Sequence, residues 1–255
     1  MTRIILIPAR LESSRLPKKV LLDLGGKPMI QRVYDQCIQV KDADVFIATD
    51  SEEIKTSCTN FTENILLTRK NHPSATDRIA EALEQLGHYE SVINVQADEP
   101  FVDPKLISNL FKALESKEVQ MVSAMKKIHS VKDLHNPNVV KVVTDMQNNA
   151  LYFSRACIPA LLDEENTNIT NEKLKHSSQS YFKHLGIYGF KRTFLAEFAA
   201  TKMGRLEKLE RLEQLRALEN GIKIKMVETN YTAFGIDTHK DYLDALTIYK
   251  QQSFQ

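Results

Sequence analysis

Residues Ser91-Val-Ile-Asn-Val-Gln-Ala-Asp-Glu-Pro100 begin as a β-branched apolar run and end in an amide, two carboxylates and a proline. Such a run favours a buried strand, which we predict over Val92–Val95. In an open α/β sheet, ligands collect beyond the carboxyl ends of the strands. The stretch therefore predicts a strand and, at its end, a binding site.

Strands and helices alternate along the first half of the chain. Further β-rich runs predict strands at Ile4–Ile7, Val45–Thr49 and Ile65–Thr68. Apolar residues at helical spacing predict helices at Pro28–Val40, Ser51–Cys58, Thr76–Leu86 and Pro104–Leu114. This order predicts a mixed, mostly parallel α/β sheet covered by helices.

The second half has a different pattern. Four predicted strands follow with little helix between them, at Met121–Ile128, Val139–Thr144, Ala150–Ser154 and Tyr181–Phe190. Residues Asp163–Gln179 are polar and aperiodic, which predicts a mobile surface loop. The last elements predicted are a helix at Leu206–Asn220 that Gly221 ends, a strand at Ile222–Thr229 and a helix from about His239.

Composition argues against several classes of protein. The chain has 255 residues and a net charge of +1, so its balance gives no support to nucleic-acid binding. The first apolar run is too short for a signal peptide or a membrane span, so we expect a cytoplasmic protein without membrane contact. Cys37, Cys58 and Cys157 are odd in number and widely spaced, which favours free thiols over disulfides or a metal site.

The segment after the first strand is basic. Arg10, Arg15, Lys18 and Lys19 stand with two serines within ten residues. Such a loop can surround a polyphosphate, because hydroxyl and backbone N–H groups bind its oxygens and the cations neutralise its charge. The loop lacks the glycine and lysine pattern of a P-loop. The alternative interpretation is a solvated basic loop.

Two acids could form a metal site opposite this loop. Asp98 lies near the end of the stretch quoted above, after the predicted strand, and Asp237 stands in Phe234-Gly-Ile-Asp-Thr-His239 before the last helix. Mg²⁺ is usually held by one or two carboxylates with phosphate oxygens and waters, so the acids fit a magnesium-bound triphosphate. The alternative for Asp237 is a helix cap, with Thr238 as the competing cap.

Polar residues of the second half are ambiguous when each is taken alone. Glu213 falls within the apolar arc of its predicted helix, either as a salt-bridged structural acid or as a ligand for hydroxyl groups. His184 and Tyr188 point to the same side if their run is a strand, although a hydrogen-bonded core histidine is an alternative. Arg155 is the best local cation for a substrate carboxylate, or else a surface ion-pair residue.

Taken together, the motifs become specific. The blocks IPARLESSRLPKK, GGKPMIQRVY, HPSATDRIAE, NVQADEP, KHLGIYGF and GIDT occur in this order over almost the whole chain. They closely resemble the 3-deoxy-manno-octulosonate (Kdo) cytidylyltransferases, the CMP-Kdo synthetases of lipopolysaccharide assembly. The resemblance implies a single domain over residues 1–255 with the nucleotide-diphospho-sugar-transferase fold, a three-layer α/β core and a strand-rich insertion at about 120–190 used in homodimer contacts.

The resemblance also implies an activity, namely Mg²⁺-dependent transfer of CMP from CTP to a sugar acid with release of pyrophosphate. In the implied mechanism, the anomeric hydroxyl of the sugar acid attacks the α-phosphorus of CTP in line. Positioning and electrostatics would then supply most of the rate. The sequence shows no clear general base.

Individual roles follow from the same resemblance. The residues implied to hold the CTP phosphates and the nucleotide are Arg10, Ser14, Arg15, Lys19, Ser74 and Arg78. The implied metal ligands are Asp98 and Asp237, which with Arg10 and Lys19 form the implied catalytic set. The residues implied to line the sugar-acid pocket are Gln96, Arg155, His184, Tyr188, Glu213 and Gln214.

Several residues depart from the family pattern. Lys18 and Val20 replace a usual glycine and proline, Ala75 and Ala97 each replace a glycine beside the nucleotide, and Ala160 replaces an aromatic residue. Alanine fits at such positions if φ is ordinary, and otherwise it moves the loop. The departures suggest a variant acid such as 8-amino-Kdo in place of Kdo. An enzyme for an N-acylneuraminate-like acid and a catalytically silent nucleotide-binding relative are further alternatives.

Overall fold

The computed structural model describes residues 1–13, 15–160, 170–176 and 181–252. By its internal contacts the chain divides into two units. Met1–Phe111 with Ala233–Gln255 form unit 1, and Lys112–Thr232 form unit 2. The expectation of one domain with an insertion at about 120–190 stays a prediction.

Unit 1 is built on a parallel sheet. Its strands are β1 (Arg3–Ala9), β2 (Asp44–Thr49), β3 (Ile65–Leu67) and β4 (Ser91–Asn94). They run in the order β3-β2-β1-β4, with every neighbouring pair parallel. Because β1 and β4 are neighbours, the basic loop after β1 and the acids after β4 emerge at the same edge.

Helices follow the strands of unit 1 as predicted. They are α1 (Met29–Cys37), α2 (Glu52–Cys58), α3 (Ala75–Glu84) and α4 (Pro104–Leu114), with α10 (His239–Gln252) returning late in the chain. Ser51 and Ser74 accept hydrogen bonds from the backbone N–H groups of Ile54 and Asp77, and so cap α2 and α3. Ile236, just before α10, and Ala245, in the middle of α10, are buried in a cluster with Met29.

Unit 2 contains a mixed sheet. Its strands are β5 (Met121–Lys127), β6 (Lys141–Thr144), β7 (Ala150–Ser154), β8 (Phe182–Lys191) and β9 (Ile224–Glu228). β5 pairs with β9 in parallel, whereas β8 pairs antiparallel with β5 and β6, and β6 with β7. The predicted strand-dominated character of this section is confirmed.

An irregularity interrupts the pairing of β5 with β8. Ser123 pairs with Tyr188, but the next residue, Ala124, pairs with Leu185. Gly186 and Ile187 are therefore extra residues on β8. Such a bulge leaves backbone groups of the longer strand without their usual ladder partners.

The predicted helix at Leu206–Asn220 is wrong as a single element. The structure has α8 (Arg205–Glu210) and α9 (Leu215–Glu219), separated by Arg211 in the left-handed conformation at φ 53°. Arg216 Nη2 lies 2.7 Å from Glu207 Oε1 in a buried ion pair. Residues nine apart are about 13 Å apart along one straight helix, so this pair requires the break.

Three short helices of unit 2 have no counterpart among the predicted elements. They are α5 (Val131–His135), α6 (Asn171–His176) and α7 (Arg192–Ala200). The prediction of a mobile loop at Asp163–Gln179 is wrong for residues 171–176, which form α6. Leu174 of this helix is buried in a cluster with Ile128, Leu134 and Tyr181. Residues 163–169 and 177–179 lie outside the described residues.

The cysteines are free thiols, as predicted. Cys37 and Cys58 are buried and Cys157 is partly buried. Burial raises the pKa of the Cys58 thiol to about 12 and that of Cys37 further. Among the described residues, no helix has both the length and the apolar character of a membrane span.

Candidate active site

A cavity of about 280 Å³ lies in unit 1 at the carboxyl ends of β1 and β4. Every residue that lines it belongs to this unit. The predicted site residues among the lining residues are Arg10, Arg15, Lys19, Ser74, Arg78, Gln96, Asp98 and Asp237. Ser14, also predicted, lies outside the described residues.

The ammonium of Lys19 joins the two predicted metal acids. Its Nζ donates to Asp98 Oδ2 at 2.6 Å and to Asp237 Oδ1 at 2.9 Å. Burial opposes the charge on Lys19, but the carboxylates, Asp98 first, outweigh it and hold the pKa of the ammonium above its ordinary value. The two acids thus converge on one cation, although 218 residues separate Asp237 from Lys19.

Asp237 does not cap the helix that follows it. Thr238 takes that place, since its Oγ1 accepts from the Asp241 N–H at 3.2 Å and Asp241 Oδ2 accepts from the Thr238 N–H at 2.8 Å. The Asp237 carboxylate faces Lys19 and Arg15, with Arg15 Nη2 at 3.1 Å from Oδ2. The alternative of Asp237 as a cap is therefore wrong.

The first turn of α3 forms another wall of the cavity. Ser74 caps this helix, and Pro73, Ser74 and Ala75 all line the cavity. The amino end of a helix carries partial positive charge and free N–H groups, which suit an anionic ligand. Arg78 is buried, and its Nη1 contacts the Thr68 hydroxyl and lies 3.4 Å from Asp50 Oδ1, so in this structure it anchors α3 to the ends of the strands.

The alanines that replace glycine sit in ordinary backbone conformations. Neither Ala75, the first residue of α3, nor Ala97 is among the described residues with positive φ. Alanine therefore fits without backbone strain. Lys18 differs, because it has φ 51° and adopts the conformation that favours glycine.

Some residues of the cavity were absent from the sequence prediction. Glu12, Ser13 and His72 also line it. The His72 side chain is buried, with Nε2 2.7 Å from Glu81 Oε2. The only hint in the sequence was the position of His72 in the polar segment after β3.

Four of the predicted sugar-acid residues lie close together in unit 2. The rings of His184 and Tyr188 are 5.4 Å apart between centroids, and the Tyr188 hydroxyl donates to Gln214 Oε1 at 3.0 Å. Loss of contact with water in the folded protein disfavours the charged imidazolium and lowers the pKa of His184 to about 3. Burial, together with the carboxylate of Glu213, raises the pKa of Tyr188 above its ordinary value. Both rings are therefore neutral near pH 7.

Arg155 has other partners in this structure. Its Nε donates to the Glu210 carbonyl oxygen at 2.7 Å and its Nη1 to that of Pro137 at 3.0 Å. Binding of a substrate carboxylate would require the guanidinium to exchange these partners. Gln96 lines the cavity of unit 1, where its Nε2 donates to Asn94 Oδ1 at 3.2 Å.

The acids of unit 1 fit a magnesium ion. Their oxygens already converge on a cation, and they stand at the edge of a polar cavity large enough for phosphate groups and waters. Mg²⁺ prefers such a site, with one or two carboxylates and the remaining positions filled by phosphate and water. Asp98 and Asp237 are the residues that would hold it.

Comparison with known proteins agrees with this chemistry. A family model described as cytidylyltransferase matches residues 4–224. The 3-deoxy-manno-octulosonate cytidylyltransferase of Francisella tularensis subsp. holarctica (strain LVS) is 46% identical over 244 residues, which are 93% of this chain and 94% of the relative. The enzyme of the same name from Geobacter sulfurreducens is 40% identical over 92% of this chain and 94% of its own.

Solved structures give the same result. A CMP:2-keto-3-deoxy-manno-octonic acid synthetase in complex with CTP superposes with a TM-score of 0.90 at 33% identity, covering 99% of this chain and 100% of that one. The 4-diphosphocytidyl-2C-methyl-D-erythritol synthase of Anaerococcus prevotii shares the fold, with a TM-score of 0.63 at 15% identity over 97% and 96% of the two chains. The predicted fold class is confirmed. The chain is a nucleotidyltransferase and belongs to the cytidylyltransferase family, among the 3-deoxy-manno-octulosonate cytidylyltransferases.

Proposed function

We propose that the chain transfers CMP from CTP to Kdo and releases pyrophosphate. The observation that carries the proposal is the meeting of Lys19, Asp98 and Asp237 in a cavity lined by Arg10 and Arg15. Cations and paired acids at one edge of a parallel sheet suit a nucleoside triphosphate. The relatives described above are named for this activity, and this chain aligns with 94% of the length of each.

The residues of unit 1 would act by binding and orienting the triphosphate. Arg10, Arg15 and Lys19 would neutralise its oxygens, and the amino end of α3 would bind the nucleotide. With CTP bound, the Lys19 ammonium exchanges part of its contact with Asp98 and Asp237 for phosphate oxygens. When bound, Mg²⁺ would be held by these two acids and would supply positive charge against the phosphates.

The residues of unit 2 would recognise the sugar acid. The neutral rings of His184 and Tyr188 and the amide of Gln214 offer donors and acceptors to hydroxyl groups without a net charge. Glu213 would accept from hydroxyl groups, and Arg155 would bind the carboxylate after exchanging its carbonyl partners.

Kdo itself is favoured over the 8-amino analogue. The idea of a variant acid rested on the departures at Ala75, Ala97 and Ala160. Because Ala75 and Ala97 have ordinary φ, neither moves its loop to fit a Cβ. Ala160 is exposed. The alanines that replace glycine therefore give no reason for a change of acid.

The test is steady-state pyrophosphate release from CTP and Mg²⁺ with Kdo, 8-amino-Kdo or N-acetylneuraminate. We expect the highest kcat/KM with Kdo. A higher value with either of the other acids would contradict the proposed substrate, and binding of CTP without release with any acid would support a silent relative. The homodimer and the cytoplasmic location stay predictions, and analytical ultracentrifugation tests the first of them.

A further inference from the structure

The hydroxyl of Ser123 has more partners than it has protons. Ser123 lies on β5 with none of its surface exposed. Its Oγ is 2.8 Å from His184 Nε2, 2.8 Å from the Ile187 carbonyl oxygen and 3.3 Å from that of Leu185. The two carbonyls belong to the bulged part of β8, so one side chain contacts both the bulge and the histidine.

These contacts determine which nitrogen of His184 carries the proton. Carbonyl oxygens can only accept, and a hydroxyl has one proton to donate. If that proton pointed to His184, both carbonyls would face lone pairs of Ser123, at 2.8 and 3.3 Å, with no hydrogen between the oxygens. The hydroxyl therefore donates to a carbonyl, and it accepts from an Nε2–H of His184.

The opposite nitrogen of the ring is then an acceptor. His184 Nδ1 faces the Gln214 side-chain nitrogen across a long contact of 3.5 Å. An acceptor at His184 Nδ1 favours the orientation of the Gln214 amide in which Gln214 Nε2 faces the imidazole ring. In that orientation Gln214 Oε1 accepts a hydrogen bond from the Tyr188 hydroxyl at 3.0 Å. One direction of hydrogen bonding thus runs from Tyr188 through Gln214 and His184 to Ser123.

We propose that Ser123 is a positioning residue for the sugar-acid site, which fixes the Nε2–H tautomer of His184 and, through it, the orientation of the Gln214 amide. The proposal rests on the proposed function, because that function assigns His184, Tyr188 and Gln214 to the sugar acid. Ser123 itself is fully buried and acts only through His184. The site then presents one fixed arrangement of donors and acceptors to the hydroxyl groups of the acid.

The tautomer can be observed without any assay of activity. In protein labelled with ¹⁵N-histidine, long-range ¹H–¹⁵N correlation spectra distinguish the two neutral tautomers and the imidazolium. The chain has 7 histidines, so a His184→Gln spectrum assigns the signal. We expect the Nε2–H pattern near pH 7. An Nδ1–H pattern or an imidazolium at His184 would overturn the proposal, whatever reaction the enzyme performs.

The effect on the reaction is tested with Ser123→Ala. One lost hydrogen bond predicts a rise of about three- to tenfold in the KM for Kdo. The KM for CTP should stay unchanged, because the CTP-binding residues lie in unit 1. Ser123→Thr retains the hydroxyl and should restore a KM for Kdo near the wild-type value. Urea unfolding verifies that each variant is folded.

Ser91→Ala is the matched control. Ser91 is also a buried strand serine, 1% exposed, but it lies on β4 at the far end from the cavity, with Oγ near the Thr2 carbonyl oxygen. We expect no change in either KM. An unchanged KM for Kdo in Ser123→Ala, with the wild type active on Kdo, would refute the role of Ser123 and leave the proposed function intact. A wild type inactive on Kdo would refute the function, while the NMR result still reports on the tautomer.

Discussion

Asp98 and Asp237 are the residues on which the proposed chemistry depends most. Replacing either by asparagine removes a carboxylate from the place where the two acids converge. We expect kcat to fall by about a hundredfold or more in each variant, because each loses a carboxylate that would hold Mg²⁺ beside the phosphates. Pyrophosphate release measures this, with CTP and Kdo at saturation.

A control for the loss of charge is available in the same unit. Asp35→Asn breaks an ion pair with Lys27, whose Nζ is 2.6 Å from Asp35 Oδ2, away from the cavity. This variant should keep wild-type activity. Near-normal turnover in Asp98→Asn or Asp237→Asn would mean that the acid concerned is structural.

Lys18 has a strained backbone next to Lys19, the lysine proposed to bind the phosphates. It adopts φ 51° at the start of a 3₁₀ turn over Lys19–Leu21, and its ammonium lies 2.7 Å from Glu53 Oε1. Left-handed backbone costs an L-residue about 1 kcal/mol relative to glycine, and the exposed ion pair returns only about 0.2–1 kcal/mol. We therefore expect Lys18→Gly to raise the free energy of unfolding in a background that lacks the ion pair. Glu53→Gln provides this background.

Urea denaturation of Glu53→Gln and of Glu53→Gln with Lys18→Gly makes this comparison. The second protein should be more stable by about 1 kcal/mol. Equal or lower stability would show that the turn relaxes without strain. The resemblance led us to expect glycine at three positions, and only at Lys18 does φ require it, since Ala75 and Ala97 are ordinary. A sequence alone does not report φ, so these cases looked alike.

At the scale of elements, the reciprocal cap at the start of α10 holds the segment that carries Asp237. Thr238 and Asp241 exchange hydrogen bonds, and Asp241 Oδ2 also accepts from the Asp237 N–H at 3.1 Å. Thr238→Val removes the capping oxygen while keeping the shape of the side chain. We expect a loss of about 1 kcal/mol in the free energy of unfolding.

Thr247→Val in the same helix provides the comparison. The Thr247 hydroxyl donates only to the Leu243 carbonyl oxygen four residues earlier, a bond that contributes little to helix stability. Chemical denaturation should show the larger loss for Thr238→Val. Losses of equal size in the two variants would argue against a capping role for Thr238.

Elements with local signals were predictable, and elements shaped by long-range contacts were not. β1, β2 and β4 follow from runs of apolar residues that are largely buried, and β3 follows from a short apolar run that is only partly buried. The break between α8 and α9 brings Arg216 to Glu207 in a buried ion pair, and the bulge in β8 places two carbonyl oxygens against the Ser123 hydroxyl. Neither contact follows from the local pattern of residues.

Protonation of one interior histidine should influence the stability of the whole molecule. The pKa of His184 is about 3 in the fold, against 6.5 ordinarily. Between these values the unfolded chain binds the extra proton, so His184 lowers stability as pH falls below about 6.5, by at most about 1.4 kcal/mol per pH unit. Above that range it contributes no pH dependence.

Urea unfolding between pH 7 and pH 5 measures this contribution. The His184→Gln variant should lose less stability than the wild type over this range, because it has no imidazole to protonate. His135→Gln, which changes an exposed histidine, should keep the wild-type dependence. Parallel curves for wild type and His184→Gln would contradict the prediction.

The candidate site of unit 1 could be predicted from the sequence, because its residues follow the end of a strand or precede a helix. The cluster of sugar-acid residues in unit 2 could be predicted only through the family resemblance. His184, Tyr188 and Gln214 meet because a bulge and a broken helix bring them together. The buried partner Ser123 has no sequence feature that distinguishes it from other strand serines.

The contact of Lys19 with Asp98 and Asp237 has a consequence for biosynthesis. Lys19 and Asp98 are 79 residues apart, but Asp237 is 218 residues from Lys19. The chain leaves unit 1 after Phe111 and returns only at Ala233. On the ribosome, the basic loop and the first acid therefore emerge long before the second acid. A nascent chain has an incomplete acid pair for most of its translation, and we expect nucleotide turnover to begin only once this late segment has been made.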